Sequence, residues 1–257
     1  MGCKIFASNR TVCRVPRKKP TVLFSSSSVQ SKLRTQTLTL TSSYTDHNKQ
    51  TPIHTPKTEL YTVNFRTLGA CKLGISSYPD FVYNAEGGEG SGRGRKTLET
   101  GFSGVISVDF DVEKMYIPPL TAETTKFLAF PLPPCMKIDI VPEKFRGTIN
   151  QESGQVDLEF KAKFCFSVWN IYKAAPLLVE TVLTSEESEG TIRDGRGKRL
   201  DKEGRCRLVG VTTVAPVNDC FLNLFLGLPA ECLAKLNVII SFARTYRVSK
   251  YHLEAIL

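Results

Sequence analysis

Between residues 155 and 168 the chain alternates without a break. Val156, Leu158, Phe160, Ala162, Phe164, Phe166 and Val168 share one phase, and Gln155, Asp157, Glu159, Lys161, Lys163, Cys165 and Ser167 share the other. Successive side chains of a strand point to opposite faces, so this run predicts a half-buried strand with one continuous apolar stripe. At about 3.3 Å per residue such a strand would extend about 45 Å, too long for a flat sheet, so it must twist, bulge or wrap.

The same period recurs along residues 102–112, with Phe102, Ile106, Val108, Phe110 and Val112 in phase. Residues 136–149 change phase around Pro142: Met136, Ile138 and Ile140 give way to Phe145 and Ile149. A proline removes a ladder donor, so the change of phase predicts a bend or an edge there. Shorter candidates cover 60–66, 71–75, 177–183, 208–214 and 236–248, with turn residues at 150–154 and 201–204 between runs. Helical spacing is nearly absent. The best match is 229–236, where a proline stands at the tolerated first-turn position. The predicted fold is therefore all-β or nearly so: a single antiparallel β-barrel or β-sandwich of about eight strands with one short helix near 229–236.

Charge changes the picture at the N-terminus. Residues 1–57 carry ten Lys or Arg and a single acid, Asp46, which leaves 24 basic and 24 acidic residues for 58–257. The formal charge of +9 thus belongs to an arm, and the neutral body carries no nucleic-acid footprint. The first 45 residues hold no Asp or Glu, and about a third are Ser or Thr. This composition resembles a plant chloroplast transit peptide, disordered and read by the organellar import machinery, with the mitochondrion as the second choice of destination. The division expected is an arm, 1–57, and one β-rich domain, 58–257. No apolar run near the start is long enough for a secretory signal, and Phe6 stands where a myristoylation pattern asks for Ser or Thr. The apolar stretch 219–243 is interrupted by Asn223, Gly227, Pro229, Glu231, Lys235 and Asn237, which excludes a spanning helix.

Candidate chemistry is sparse. Of three histidines, His47, His54 and His252, none lies between residues 59 and 251, so imidazole-based zinc sites and acid/base pairs are not expected, nor is a cofactor. Cys71, Cys135, Cys165, Cys206, Cys220 and Cys232 contain no C-x-x-C spacing and read as free thiols. The glycine-rich stretch 86–97 has Arg95 where a phosphate loop needs glycine, and reads as a flexible loop. Ser103 sits in an incomplete nucleophile-elbow pattern, lacking its closing glycine at Val105. Asp109, Asp111 and Glu113 lie at period-two spacing, a pattern that could serve carboxylate chemistry. Outward Lys161 and Lys163 offer a simpler role for them, as cross-strand ion-pair partners. The charged segment 185–207 lacks aromatic residues and reads as a solvated hairpin or loop.

The function expected is a non-enzymatic plastid protein, stromal or peripheral on an internal membrane. It would bind a lipid, isoprenoid or pigment-like ligand between Phe110, Phe160, Phe164 and Phe166, or act at a membrane surface. Phe221, Leu222, Phe225 and Leu226 are candidate membrane or partner contacts. Two alternatives stand beside it: an assembly factor docking a protein partner through 185–207 or 221–226, and an enzyme working through the carboxylates of 109–113 without histidine.

Overall fold

Alternation becomes pairing in the computed structural model, which describes residues 58–75, 78–97 and 104–245. In chain order the elements are β1 (Thr58–Thr67), β2 (Cys71–Ile75), β3 (Phe81–Tyr83), β4 (Glu89–Thr97), β5 (Val105–Phe110), β6 (Thr125–Phe127), β7 (Phe130–Pro131), β8 (Met136–Asn150) and β9 (Val156–Val168). Then come β10 (Tyr172–Lys173), β11 (Leu177–Thr184), β12 (Glu187–Glu189), β13 (Asp194–Arg196), β14 (Arg205–Val214), helix α1 (Cys220–Leu226) and β15 (Ala230–Arg244). The described residues are mostly β, in antiparallel sheet with one helix. The arm, both ends of the chain with all three histidines, and Phe102 and Ser103 lie outside the described residues.

The pairing path runs β1-β4-β5-β8-β9-β11-β14-β15 and returns to its start, because β15 also pairs with β1. Eight strands thus share one cyclic path, all antiparallel. The first half of β15 carries a second branch, β2-β3-β6-β7, and the segment leading into β6 joins β8 through a reciprocal Leu120–Ile138 bridge. One seam of the cycle is thin. The β11–β14 ladder is confined to Thr184 opposite Val209; beyond it two hydroxyls bridge the strands, Thr181 Oγ1 donating to the Val211 carbonyl at 3.2 Å and Thr212 Oγ1 to the Glu180 carbonyl at 2.7 Å.

The long strand β9 presents its even residues inward as its pattern requires. Its partner β8 shifts register between Pro142 and Lys144, so the phase change in the sequence is a bulge at Glu143. Asn150 closes the β8–β9 turn by accepting the Glu152 and Ser153 amides on Oδ1. Inside the cycle, Val63, Ile106, Ile149, Val156, Leu158, Leu208, Val238 and Ile240 form a core of fully buried aliphatic side chains. Each contributes roughly 1.5–3 kcal/mol of burial. A second cluster, Cys71, Tyr83, Ala85, Leu120 and Leu132, fills the branch.

Several expectations are corrected. The stretch 86–97 is not a flexible loop: residues 89–97 are β4, paired on both sides. Its glycines face inward because a side chain there has no room. A Cβ on Gly92 would stand 2.9 Å from the Phe110 Cα, and one on Gly94 2.9 Å from methyls of both Ile106 and Val63. The helix is not at 229–236 but at 220–226. Asp219 caps its start, accepting the Leu222 amide at 2.9 Å, and Gly227 ends it in the left-handed conformation at φ 64°. Residues 230–236 are the first half of β15. The described residues form fifteen strands rather than about eight, although eight make the cycle. Lys161 and Lys163 do not meet Asp109 and Asp111, since β9 and β5 are separated by β8. Lys161 pairs with Glu180, Lys163 with Glu143, and Asp111 with Lys114.

Candidate functional site

The inward stripe of β9 runs past the aliphatic core and becomes aromatic at Phe160, Phe164 and Phe166. Phe160 meets Phe145 edge to face at 5.8 Å, and Phe145 stacks on Phe110 at 4.7 Å with Phe65 against both. Rigid plates leave gaps that branched aliphatic chains would fill. Between the two clusters lies a cavity of about 90 Å³ whose accessible surface is wholly apolar. Phe160 and Phe164 of β9, Ile140 of β8, Val179 of β11, Leu236 of β15 and Tyr83 of β3 line it.

Polar groups in the wall are turned away or satisfied. Tyr83 donates its hydroxyl to the Pro118 carbonyl, and burial pushes its phenol well above the usual range, so it stays a neutral donor. Thr67 Oγ1 donates to the Ala85 carbonyl, and Thr181 spends its hydroxyl on the thin seam. An accessible wall of this kind favours apolar matter.

Of the four predicted lining residues, two border this space. Phe110 is instead locked in the aromatic stack, and Phe166 is buried against Tyr172 and Phe225, one step along the stripe. Ile140, Tyr83, Leu236 and the 115–117 segment were missed. Ile140 was in phase before Pro142 and could have been named, but Tyr83 reaches the cavity only because the branch folds back over β8, and Leu236 only because β15 pairs into the cycle.

On α1, Leu222 is buried and Leu226 half-buried, whereas Phe221 and Phe225 are exposed; Leu222 is therefore withdrawn as a surface contact. Phe221 and Phe225 stack at 5.9 Å, and Tyr172 meets Phe221 at 5.4 Å. Desolvation and donation to Asp219 Oδ2 at 2.6 Å push the Tyr172 phenol up to about 12.

The charged segment 185–207 is spent within the fold. Its hairpin β12–β13 lies on the outer face of β14 and β15, covering Val209 and Leu233, with Gly195 against both. Buried Glu231 accepts the amides of Thr191, Ile192 and Arg193 at 2.5, 2.7 and 2.9 Å, and these bonds hold its carboxyl below the usual range. The Arg193 guanidinium meets Asp80 at 2.6 Å and the Ile75 and Tyr78 carbonyls. Arg196 pairs with Glu187, and Arg199 with Glu186.

Asp109 and Asp111 border one open groove on the outer face, where Arg93, Arg95, Lys114 and Arg146 stand among them, and Glu113 does not reach it. Asp109 is on the wet face of β5 opposite Arg93 and Arg146, and Lys114 holds Asp111 below its usual range. Among the described residues no His, Cys, Asp or Glu group is arranged to hold a metal ion, and the six described cysteines are free thiols. Burial pushes the Cys206 thiol up to about 12 and that of Cys232 up to about 11. No helix among the described residues is long and apolar enough to cross a membrane.

Comparison of the chain with protein-family models, curated proteins and solved structures finds no match.

Proposed function

We propose that residues 58–245 form a closed eight-stranded barrel that binds one end of an apolar chain, an acyl or isoprenoid tail, without catalysing a reaction on it. The observation that carries this reading is the dry cavity beside Phe160 and Phe164. Its volume decides between ligand classes. At about 90 Å³ it is smaller than the roughly 150 Å³ that admits benzene, and far below the roughly 300 Å³ at which pockets for whole small molecules begin. A fused-ring pigment is therefore disfavoured. The narrow end of a linear chain fits, and the hydroxyl-bridged seam beside Val179 and Thr181 is the part of the wall that yields most cheaply for the rest of it.

The acid-free, hydroxyl-rich arm is proposed as the plastid address. A reporter fused to residues 1–60 should enter chloroplasts, and fluorescence confined to the cytosol or to mitochondria overturns that assignment.

The ligand is tested by gentle purification from plastids, followed by solvent extraction and mass spectrometry. An extractable acyl or prenyl lipid is expected at stoichiometric level, and Phe164→Trp should reduce its occupancy while leaving the melting temperature within a degree or two, as filling of empty space requires. A protein that carries no lipid, and a Trp variant that only melts lower, would mean that the interior is solid.

A further inference from the structure

We propose that one end of the domain docks on the surface of an anionic lipid bilayer through three apolar tips: the 128–130 turn, the 169–171 turn and helix α1. These tips are far apart in sequence yet joined by continuous ring contacts. Phe127, beside the first tip, meets Tyr78 at 6.2 Å; Tyr78 meets Phe225 at 6.0 Å; Phe225 stacks on Phe221; Phe221 meets Tyr172, which follows the second tip. The Trp169 amide also donates to the Cys135 carbonyl at 2.9 Å, tying the second tip to the chain that leaves the first.

On this frame stand the largest exposures of apolar side chains among the described residues: Leu224 at 86 %, Ile171 at 80 %, Phe130 at 75 % and Trp169 at 67 %. Scattered exposed hydrophobes are ordinary on protein surfaces, whereas a contiguous group marks an interaction site. The backbone is bent in its favour. Leu128, Ala129 and Trp169 adopt φ of 49°, 70° and 45°, left-handed values at which glycine or asparagine would be easier, and Ala70 is the only other non-glycine residue among those described to do so. Bulky apolar residues are thus kept at turn tips that disfavour them.

Charge selects the occupant. Lys126 and Lys173 are exposed beside the first and second tips and make no ion pair among the described residues. Asp219, the acid that precedes the helix, is engaged in capping it and in accepting from Tyr172. Unpaired lysines flanking Trp, Tyr, Phe and Leu are the composition that sits at the headgroup boundary of an anionic bilayer. The docking surface stands on these contacts and does not depend on the cavity having a ligand. Its position suits such a ligand all the same: Phe166 touches Phe225, and Phe164, which lines the cavity, is two residues back along the same face of β9.

The test uses the full 257-residue chain, because its single tryptophan, Trp169, reports from the surface itself. The basic arm can attract anionic vesicles on its own, so sedimentation alone does not suffice. With phosphatidylcholine vesicles containing about a third phosphatidylglycerol, Trp169 emission should shift to the blue and be quenched by brominated acyl chains. Leu224→Asp and Ile171→Asp, both on fully solvated tips and checked for unchanged melting, should each weaken this response about tenfold. Lys126→Glu combined with Lys173→Glu should remove its preference for the anionic lipid. Vesicle binding without a change in Trp169 emission would assign attachment to the arm and overturn the proposal. A concentration-dependent blue shift without lipid, together with a dimer on size exclusion, would make the tips a self-association surface and overturn it too. Docking by a protein that carries no extractable lipid would sink the ligand reading alone, and lipid occupancy without docking would sink this one.

Discussion

Near Ile149 and Val156 the interior of the strand cycle is Val, Ile and Leu with no accessible surface, whereas around Phe160 and Phe164 rings mix with Ile140, Val179 and Leu236 and border empty space. Both regions belong to the same strands, β8 and β9, and both obey the same alternation. The difference is one of shape. Branched aliphatic chains interdigitate to the density of an organic crystal, while flat rings meeting edge to face leave voids that only another flexible group can fill. A period-two pattern therefore fixes which side chains point inward without saying whether they close the space between them.

The contrast breaks first where a charge is forced into the dense region. Leu158→Asp should cost about 4 kcal/mol or more, because a fully buried carboxylate there has no partner, and denaturant titration should find the variant largely unfolded. Truncation sharpens the comparison. Leu158→Ala opens a new cavity and should cost about 3 kcal/mol, whereas Phe164→Ala enlarges an existing one and should cost distinctly less than the usual 3 to 5 kcal/mol for a buried ring. Equal losses in urea would mean that the two regions are packed alike.

Outside the cycle, Glu231 couples the β12–β13 hairpin to β15. Its folded carboxyl lies below its unfolded value of about 4.3, so its contribution is complete above that pH and is lost as the pH falls through the folded value. Glu231→Gln should lower the melting temperature at pH 7 and flatten the loss of stability on acidification below about pH 4; an unchanged acid profile would mean that the hairpin is held by Arg193 alone. The smallest effect belongs to the wet face of β9, where Lys161→Ala removes only an exposed pair with Glu180 and should change stability by less than about 0.5 kcal/mol.

Legibility followed the side chain rather than the strand. Residues 155–168 announced themselves because an apolar residue marks every inward position. β4 has the same period, but its inward positions are glycines, which carry no hydrophobic signal, and so it reads as a loop until the neighbours that need the space are known. β15 reads as helical at 229–236 for another reason. The β12–β13 hairpin covers its outer face at Glu231 and Leu233, and a strand buried on both faces loses its alternation. The aromatic half of the site was visible as Phe160 and Phe164, whereas Tyr83 of the branch and Leu236 of β15 meet them only in the folded chain.

The sequence by itself determined the class of the fold, the inward face of its long strands, the change of phase near Pro142, the segregation of charge into the arm and the lack of histidine in the body, because each rests on local periodicity or on composition. Tertiary structure alone decided that the eight strands pair in a cycle, that Phe110 is locked in a stack while Phe164 borders a void, and that Leu128, Trp169 and Leu224 come to one end. Those outcomes depend on which strands become neighbours, and pairing between distant strands is set by the fit of whole surfaces rather than by any residue's own preference.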